Sequence, residues 1–272
     1  MAISKKELFS LWNRSKKVYR RLMQALRLAI LLVAFCLIIA APAVAAPDVK
    51  FSLPAELSDS DNAVSPEDKI KLTRRIKDLL SGIDAVSAAV YQTKHLAMLK
   101  KAIESEGTVI IRKTPRGLRW EAVRPERTVT IIDEKTITIY KPVEKEADIY
   151  DIEANIAAKQ SMAFFSSTMW GDISELEKKF STEIYLKNGL IIYRLIPISE
   201  MVLRYLTSIV IYFNDSTGIP AGFELTTPKG DKYMTSLRDV KKNPPFDIDT
   251  FYLKLPKEVW VRDHTKPDEK NR

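Results

Sequence analysis

Cysteine is almost missing from this 272-residue chain, with Cys36 as its single instance. A lipoprotein signal needs a small residue just before the acylated cysteine, and Phe35 stands there, so lipidation at Cys36 is not expected. Beyond that position neither a disulfide nor a thiolate metal site is available. Histidine is nearly as scarce, with only His95 and His264. No HExxH, GxSxG, Walker loop or dinucleotide fingerprint occurs, so no motif of hydrolytic or nucleotide chemistry is legible. The carboxylate pairs Glu104/Glu106 and Asp247/Asp249 are spaced for one face of a strand. They read as solvated, because paired catalytic acids need a cleft to move their pKa values apart. No catalytic residue, cofactor or metal is expected, and no internal repeat of fixed period is present.

Excess positive charge is also missing from most of the chain. The net charge is +8, but residues 1–45 carry eight Lys/Arg and one Glu. The remainder holds 35 cations and 34 carboxylates. A nearly neutral body has no electrostatic motive for binding nucleic acid. Residues 28–46 run without a charge after Arg20, Arg21 and Arg27, and close on Ala43-Val44-Ala45. That is the pattern of a cleaved signal peptide, expected over residues 1–45, with Met23 as an alternative start. An uncleaved inner-membrane anchor is the competing reading, since 19 apolar residues can span a bilayer. An exported chain without disulfides fits the periplasm best.

Residues 46–64 read as a linker, 65–261 as one domain, and 262–272 as a polar tail. Ser65 suits a helix cap, Pro66 the first helical position, and Glu67 and Asp68 the first turn. Leu72, Ile76, Leu79, Leu80 and Ile83 then form one apolar stripe, ended by Gly82. Strands are expected over 84–93, 183–186, 190–196, 208–213, 221–226, 232–239 and, last, 251–255. The clearest stretch is 106–142, four short alternating strands separated by Thr114-Pro115-Arg116-Gly117, Arg124-Pro125-Glu126 and Asp133-Glu134-Lys135. One apolar and one polar face describe an antiparallel meander covered on one side. Between residues 151 and 180 the period changes, predicting two helical pieces broken near Trp170-Gly171, with Asp172 as a cap. Met162, Phe164, Phe165, Met169 and Trp170 crowd this stretch. They could be ordinary core, or they could line an apolar pocket beside the sheet. The predicted fold is mainly β with α: an open, strongly curved antiparallel half-barrel of about eleven strands.

The 106–142 stretch resembles the LolA family, periplasmic carriers of outer-membrane lipoproteins. The matching residues are Gly107, Lys113, Pro115, Trp120, Pro125, Asp133, Lys135, Tyr140 and Pro142. Tyr91-Gln92 and the run from Phe251 to Pro256 resemble the family's opening and closing strands. The resemblance implies a helical lid over an apolar cavity, a monomer, and no enzymatic activity. It implies acylated lipoproteins or lipid-like cargo as ligands, with an inner-membrane release complex and an outer-membrane acceptor as partners. The wall of the acyl site would be Ile111, Trp120, Ile131, Ile139 and Phe223. The lid would contribute Met162, Phe165 and Met169. The chain departs from the family at Thr114, where an arginine often precedes the turn proline, leaving Arg112, Lys113 and Arg119 as latch candidates. Glu134 replaces the hairpin glycine. A sensor of mislocalised lipoproteins on the same fold is a second reading, and an enzyme acting on acyl groups a third.

Overall fold

The computed structural model describes residues 57–58, 61–154 and 167–265. The expected signal peptide, most of the linker and most of the polar tail lie outside these residues. Among the described residues no helix is long and apolar enough to cross a membrane.

Helix α1 (Pro66–Leu79) starts as its sequence predicts, with the Ser65 hydroxyl accepting the Asp68 N–H at 3.1 Å. Six strands follow: β1 (Ala85–His95), β2 (Ile103–Arg112), β3 (Gly117–Arg124), β4 (Thr128–Ile132), β5 (Thr136–Lys141) and β6 (Glu146–Asp151). After a short helix, α2 (Ile173–Glu177), come β7 (Phe180–Lys187) and β8 (Leu190–Pro197). A one-turn helix α3 (Glu200–Leu203) leads to β9 (Ser208–Asn214), β10 (Pro220–Thr226) and β11 (Lys232–Lys242). The last strand is β12 (Trp260–Asp263).

The twelve strands among the described residues form one sheet in the order β12-β6-β5-β4-β3-β2-β1-β11-β10-β9-β8-β7. Every neighbouring pair is antiparallel except β12 with β6, which is parallel. The mainly β, meandering architecture is as expected, with three corrections. Residues 146–151 form a strand. Residues 251–255 do not: a 3-10 turn (Ile248–Phe251) and irregular chain stand there. The closing strand is instead β12, which reaches into the expected tail.

Short loops follow from their residues. Asn188 and Gly189 both take positive φ, 52° and 72°, the conformation a two-residue hairpin demands. Gly107 has a different reason to be glycine, since a Cβ there would lie 2.0 Å from the Glu121 carbonyl oxygen.

The register separates two faces. Ile111 pairs with Leu118, Leu118 with Ile132, and Ile132 with Ile137. Val109, Trp120 and Ile139 occupy the next inner row. Across the sheet, Val86, Ala88 and Val90 continue this inner face toward Ile211, Tyr193 and Ile184. Helix α1 covers the β7–β9 part, placing Leu72, Ile76 and Leu80 in the same apolar cluster. The Thr73 hydroxyl meets the Tyr193 hydroxyl at 2.9 Å, and Lys69 donates to the Thr182 carbonyl at 3.1 Å.

The outer face carries two straps. Leu57 packs on Tyr185, Ile192 and Tyr212, while Lys187 holds Asp61 at 2.8 Å and Val64 N–H donates to the Ile184 carbonyl. The end of the expected linker is therefore pinned along the β7 edge. Residues 243–259 form the other strap, leaving β11 and passing Phe251 over Gly117 before entering β12.

Candidate functional site

The inner face is the candidate site, on the packing of its apolar side chains. Its apolar side chains come from β1–β5, β7–β9, α1, Ile152 and the 169–176 stretch, and they form one continuous cluster. Ile111, Trp120 and Met169 belong to it and are buried. Ile139 and Phe223 are partly buried and pack against it, joined by Tyr150 and Trp170. These five expected site residues are thus brought together. Met162 and Phe165 lie outside the described residues.

Ile131 is a correction. Its cross-strand partners are Arg119 and Thr138, so it points to the outer face, opposite Trp120. The sequence Thr128-Val129-Thr130-Ile131-Ile132 alternates well with Val129 and Ile131 together, yet pairing puts Thr128, Thr130 and Ile132 inside. A shift of one residue reverses the face of every side chain. Val129 and Ile131 are nonetheless buried, on the face that the 243–259 strap crosses.

The three latch candidates separate as well. Lys113 faces the middle segment: its ammonium lies 5.7 Å from the Trp170 ring centroid. Arg112 points outward instead, stacking 4.4 Å from the Phe251 ring centroid and donating to the Pro115 carbonyl at 2.7 Å. Arg119 shares that outer face, bonded to Glu121 and, at 3.1 Å, to the Thr250 carbonyl. Both arginines hold the strap, because their positions in β2 and β3 alternate with Ile111 and Trp120.

Several inner residues were not singled out from the sequence. Gln92 and Lys94 continue the Val86-Ala88-Val90 set by period two, and both are buried, at 2% and 3% exposure. Gln92 donates its amide to the Thr235 hydroxyl at 3.1 Å. The inner face therefore has a polar stretch near the ends of β1 and β2, where Ser105 and Thr128 are also buried. The alternation of β1 carried the signal, but a lysine on an inner face runs against composition.

Electrostatics on this face reflect burial. Tyr193 is pushed up to about 12, chiefly by burial, with the Thr73 hydrogen bond pulling the other way. At the far rim, Arg262 makes paired hydrogen bonds to Asp148 at 2.8 Å, and His264 reaches the same carboxylate at 2.9 Å. Burial opposes ionisation of Asp148, but these partners outweigh it and lower its pKa. His264 also stacks on Tyr150, with centroids 4.5 Å apart. The group clamps β12 to β6. Among the described residues no set of three or more His, Cys, Asp or Glu is placed to hold a metal ion.

The arrangement suits shelter of apolar groups. The sequence matches the family described as outer membrane lipoprotein carrier protein LolA over residues 81–254. No curated protein sequence matches the chain. Among solved structures, an uncharacterized conserved protein from Thermus thermophilus is similar at 14% identity and a TM-score of 0.46. That likeness covers 72% of this chain and 99% of the other. The complex of Pseudomonas aeruginosa MucA/MucB is similar at 11% identity and a TM-score of 0.43, covering 72% of this chain but only 63% of that one. The Mycobacterium tuberculosis lipoprotein LppX is similar at 12% identity and 0.42, covering 68% and 100% respectively. These three likenesses are distant, and the assignment rests on the family match. It takes in every strand from β1 to β11 and leaves out α1 and β12. The chain belongs to the family of outer membrane lipoprotein carrier proteins, LolA.

Proposed function

We propose that this protein is a non-catalytic periplasmic carrier that shelters the acyl chains of lipoproteins, or of a related lipid, against the inner face of its sheet. It takes them from an inner-membrane release complex and delivers them to an outer-membrane acceptor. The observation that carries the reading is the single apolar cluster joining Ile111, Trp120 and Ile137 on the wall to Met169 and Ile173 on the covering segment.

The physical need is large. Exposing a 16-carbon acyl chain to water costs on the order of 10 kcal/mol, at about 0.8 kcal/mol per methylene. Apolar packing supplies shielding without directional bonds, so cargo of variable shape is held and then released. Residues 167–178 together with α1 act as the lid over an acyl cavity. Lys113 on Trp170 is its latch, in place of the arginine missing at position 114. Gln92 and Lys94 take the polar junction between acyl chains and lipoprotein polypeptide.

Recovery of the native protein from the periplasm, followed by mass spectrometry, should find acyl-bearing cargo and an N-terminus near residue 46. Ile139→Glu is expected to lower the lipoprotein captured from inner-membrane vesicles by about tenfold, from burial of one charge at the cavity wall. Its far-UV circular dichroism should be unchanged. Protein recovered without lipid, and unable to capture lipoprotein, would show that the inner face is only a core.

A further inference from the structure

The two ends of the sheet differ in a way the carrier reading does not use. Five connections leave the sheet at one end: residues 96–102, 125–127, 142–145, 198–207 and 227–231. Eleven large hydrophobic side chains are exposed among the described residues, and five of them sit in these connections. They are Met98, Leu99, Val143, Ile198 and Leu203. The short connections at the opposite end, residues 81–84, 113–116, 133–135, 188–189 and 215–219, hold none, and the 243–259 strap that leaves the sheet there carries one, Tyr252. Such a one-ended distribution is not the scatter of a typical soluble surface.

Three of these connections, two of them bearing apolar tips, are held together. The Ala97 N–H donates to the Asp231 carboxylate at 2.8 Å, tying the β1–β2 connection to the β10–β11 turn. Thr207 N–H donates to the Thr226 carbonyl at 2.8 Å, tying the β8–β9 connection to β10. Leu96 and Leu206 both pack on Leu225 and Tyr233 beneath the rim. The rim is therefore a fixed surface, and its apolar tips are presented together.

Cations stand beside these tips. Lys100 and Lys101 directly follow Met98 and Leu99, Arg204 follows Leu203, and Lys229 caps the neighbouring turn. All four are exposed. The carboxylates in the same three connections are Glu200 and Asp231, and the latter is engaged with Ala97. At the far end of the same rim, Trp260 is 60% exposed, and its backbone N–H donates to the Lys145 carbonyl. Apolar tips, adjacent lysines and a boundary tryptophan are the chemistry of a headgroup-level contact.

We propose that this rim docks on an anionic lipid bilayer, with Met98 and Leu99 entering the headgroup boundary and Lys100, Lys101, Arg204 and Lys229 meeting lipid phosphates. The lysines supply attraction that salt screens, and the apolar tips supply insertion that it does not. The docking needs no cargo and is independent of whether the inner face holds acyl chains.

The test is amide exchange on the full chain, with and without cargo-free phosphatidylethanolamine–phosphatidylglycerol vesicles, so that the leader contributes equally to every arm. Exchange in 96–102 and 198–206 is expected to slow by about fivefold or more, as a docked interfacial segment does, while 113–116 and 133–135 keep their rates. Phosphatidylcholine vesicles should give a smaller effect. Met98→Asp with Leu99→Asp should abolish the slowing in 198–206 as well, at unchanged thermal midpoint. Leu186→Asp, outside the rim, should not. Equal slowing at both ends, no slowing at either, or slowing that survives the double substitution would overturn the proposal. Lipoprotein capture measured on the same samples distinguishes this outcome from failure of the carrier function.

Discussion

The ammonium of Lys113 lies 5.7 Å from the centroid of the Trp170 ring, bridging the β2–β3 turn and the segment that covers the inner face. This is the one latch candidate directed at the covering segment; Arg112 and Arg119 grip the strap on the other side of the sheet. A cation over indole is worth about 0.5–1 kcal/mol at an exposed site. A double-mutant cycle with Lys113→Met and Trp170→Leu should return a coupling energy in that range. A coupling near zero would leave Thr114 without a substitute for the family's arginine.

Tyr193 links stability to alkaline pH. Its folded pKa, about 12, stands above the unfolded value near 10. The raised value means that the folded state favours the protonated phenol. Its contribution is complete below about pH 10 and is lost as pH rises toward 12, an effect on the order of 2–3 kcal/mol. Denaturant titrations between pH 9 and about 12 should show this decline. In Tyr193→Phe the decline should flatten, at a constant cost of about 1 kcal/mol for the lost Thr73 hydrogen bond.

Asp148 works in the opposite direction. Arg262 and His264 hold its carboxyl below the ordinary range despite burial. Its contribution is present above the unfolded carboxylate value, near 3.9, and fades as pH falls through the lower folded value. Asp148→Asn should cost about 1–3 kcal/mol at neutral pH and release β12. Hydrogen exchange across residues 260–263 should rise in the variant while β1 and β2 stay protected.

Gly107→Ala should be among the most damaging single changes. The new Cβ would sit 2.0 Å from a backbone oxygen of Glu121, and backbone cannot swing aside. A loss of about 3 kcal/mol or more is expected from urea unfolding. Gly189→Ala, where no atom lies within 4 Å, should cost less, through its positive φ alone.

Local chemistry made much of this legible beforehand. Ser65-Pro66-Glu67 announced α1, Asn188-Gly189 announced a hairpin, and the alternation in 106–142 announced the wall. In each, a few adjacent residues suffice, because caps, turns and pleats are set by neighbours in the chain. Ile131 shows where that ends. Both Val129-Ile131 and Thr130-Ile132 are compatible with the alternation of β4, and only pairing with β3 selects the second set for the inside. The run Phe251-Tyr252-Leu253-Lys254-Leu255 alternates like a strand but finds no strand beside it. Phe251 is spent on Gly117 and Arg112 instead.

The mainly β class, the first helix and most strands could thus be read from the chain alone, since these follow from period and local propensity, while the family was legible only through the resemblance of residues 106–142. Folding in three dimensions set the register of β4, the outward gripping role of Arg112 and Arg119, the pinning of Leu57, Asp61 and Val64 and the parallel closing strand. Trp260-Val261-Arg262-Asp263 carries no alternation of its own; it is a strand because β6, more than a hundred residues earlier, offers an edge and Asp148 a partner for Arg262. Such features depend on groups that meet only after folding, and no local pattern encodes them.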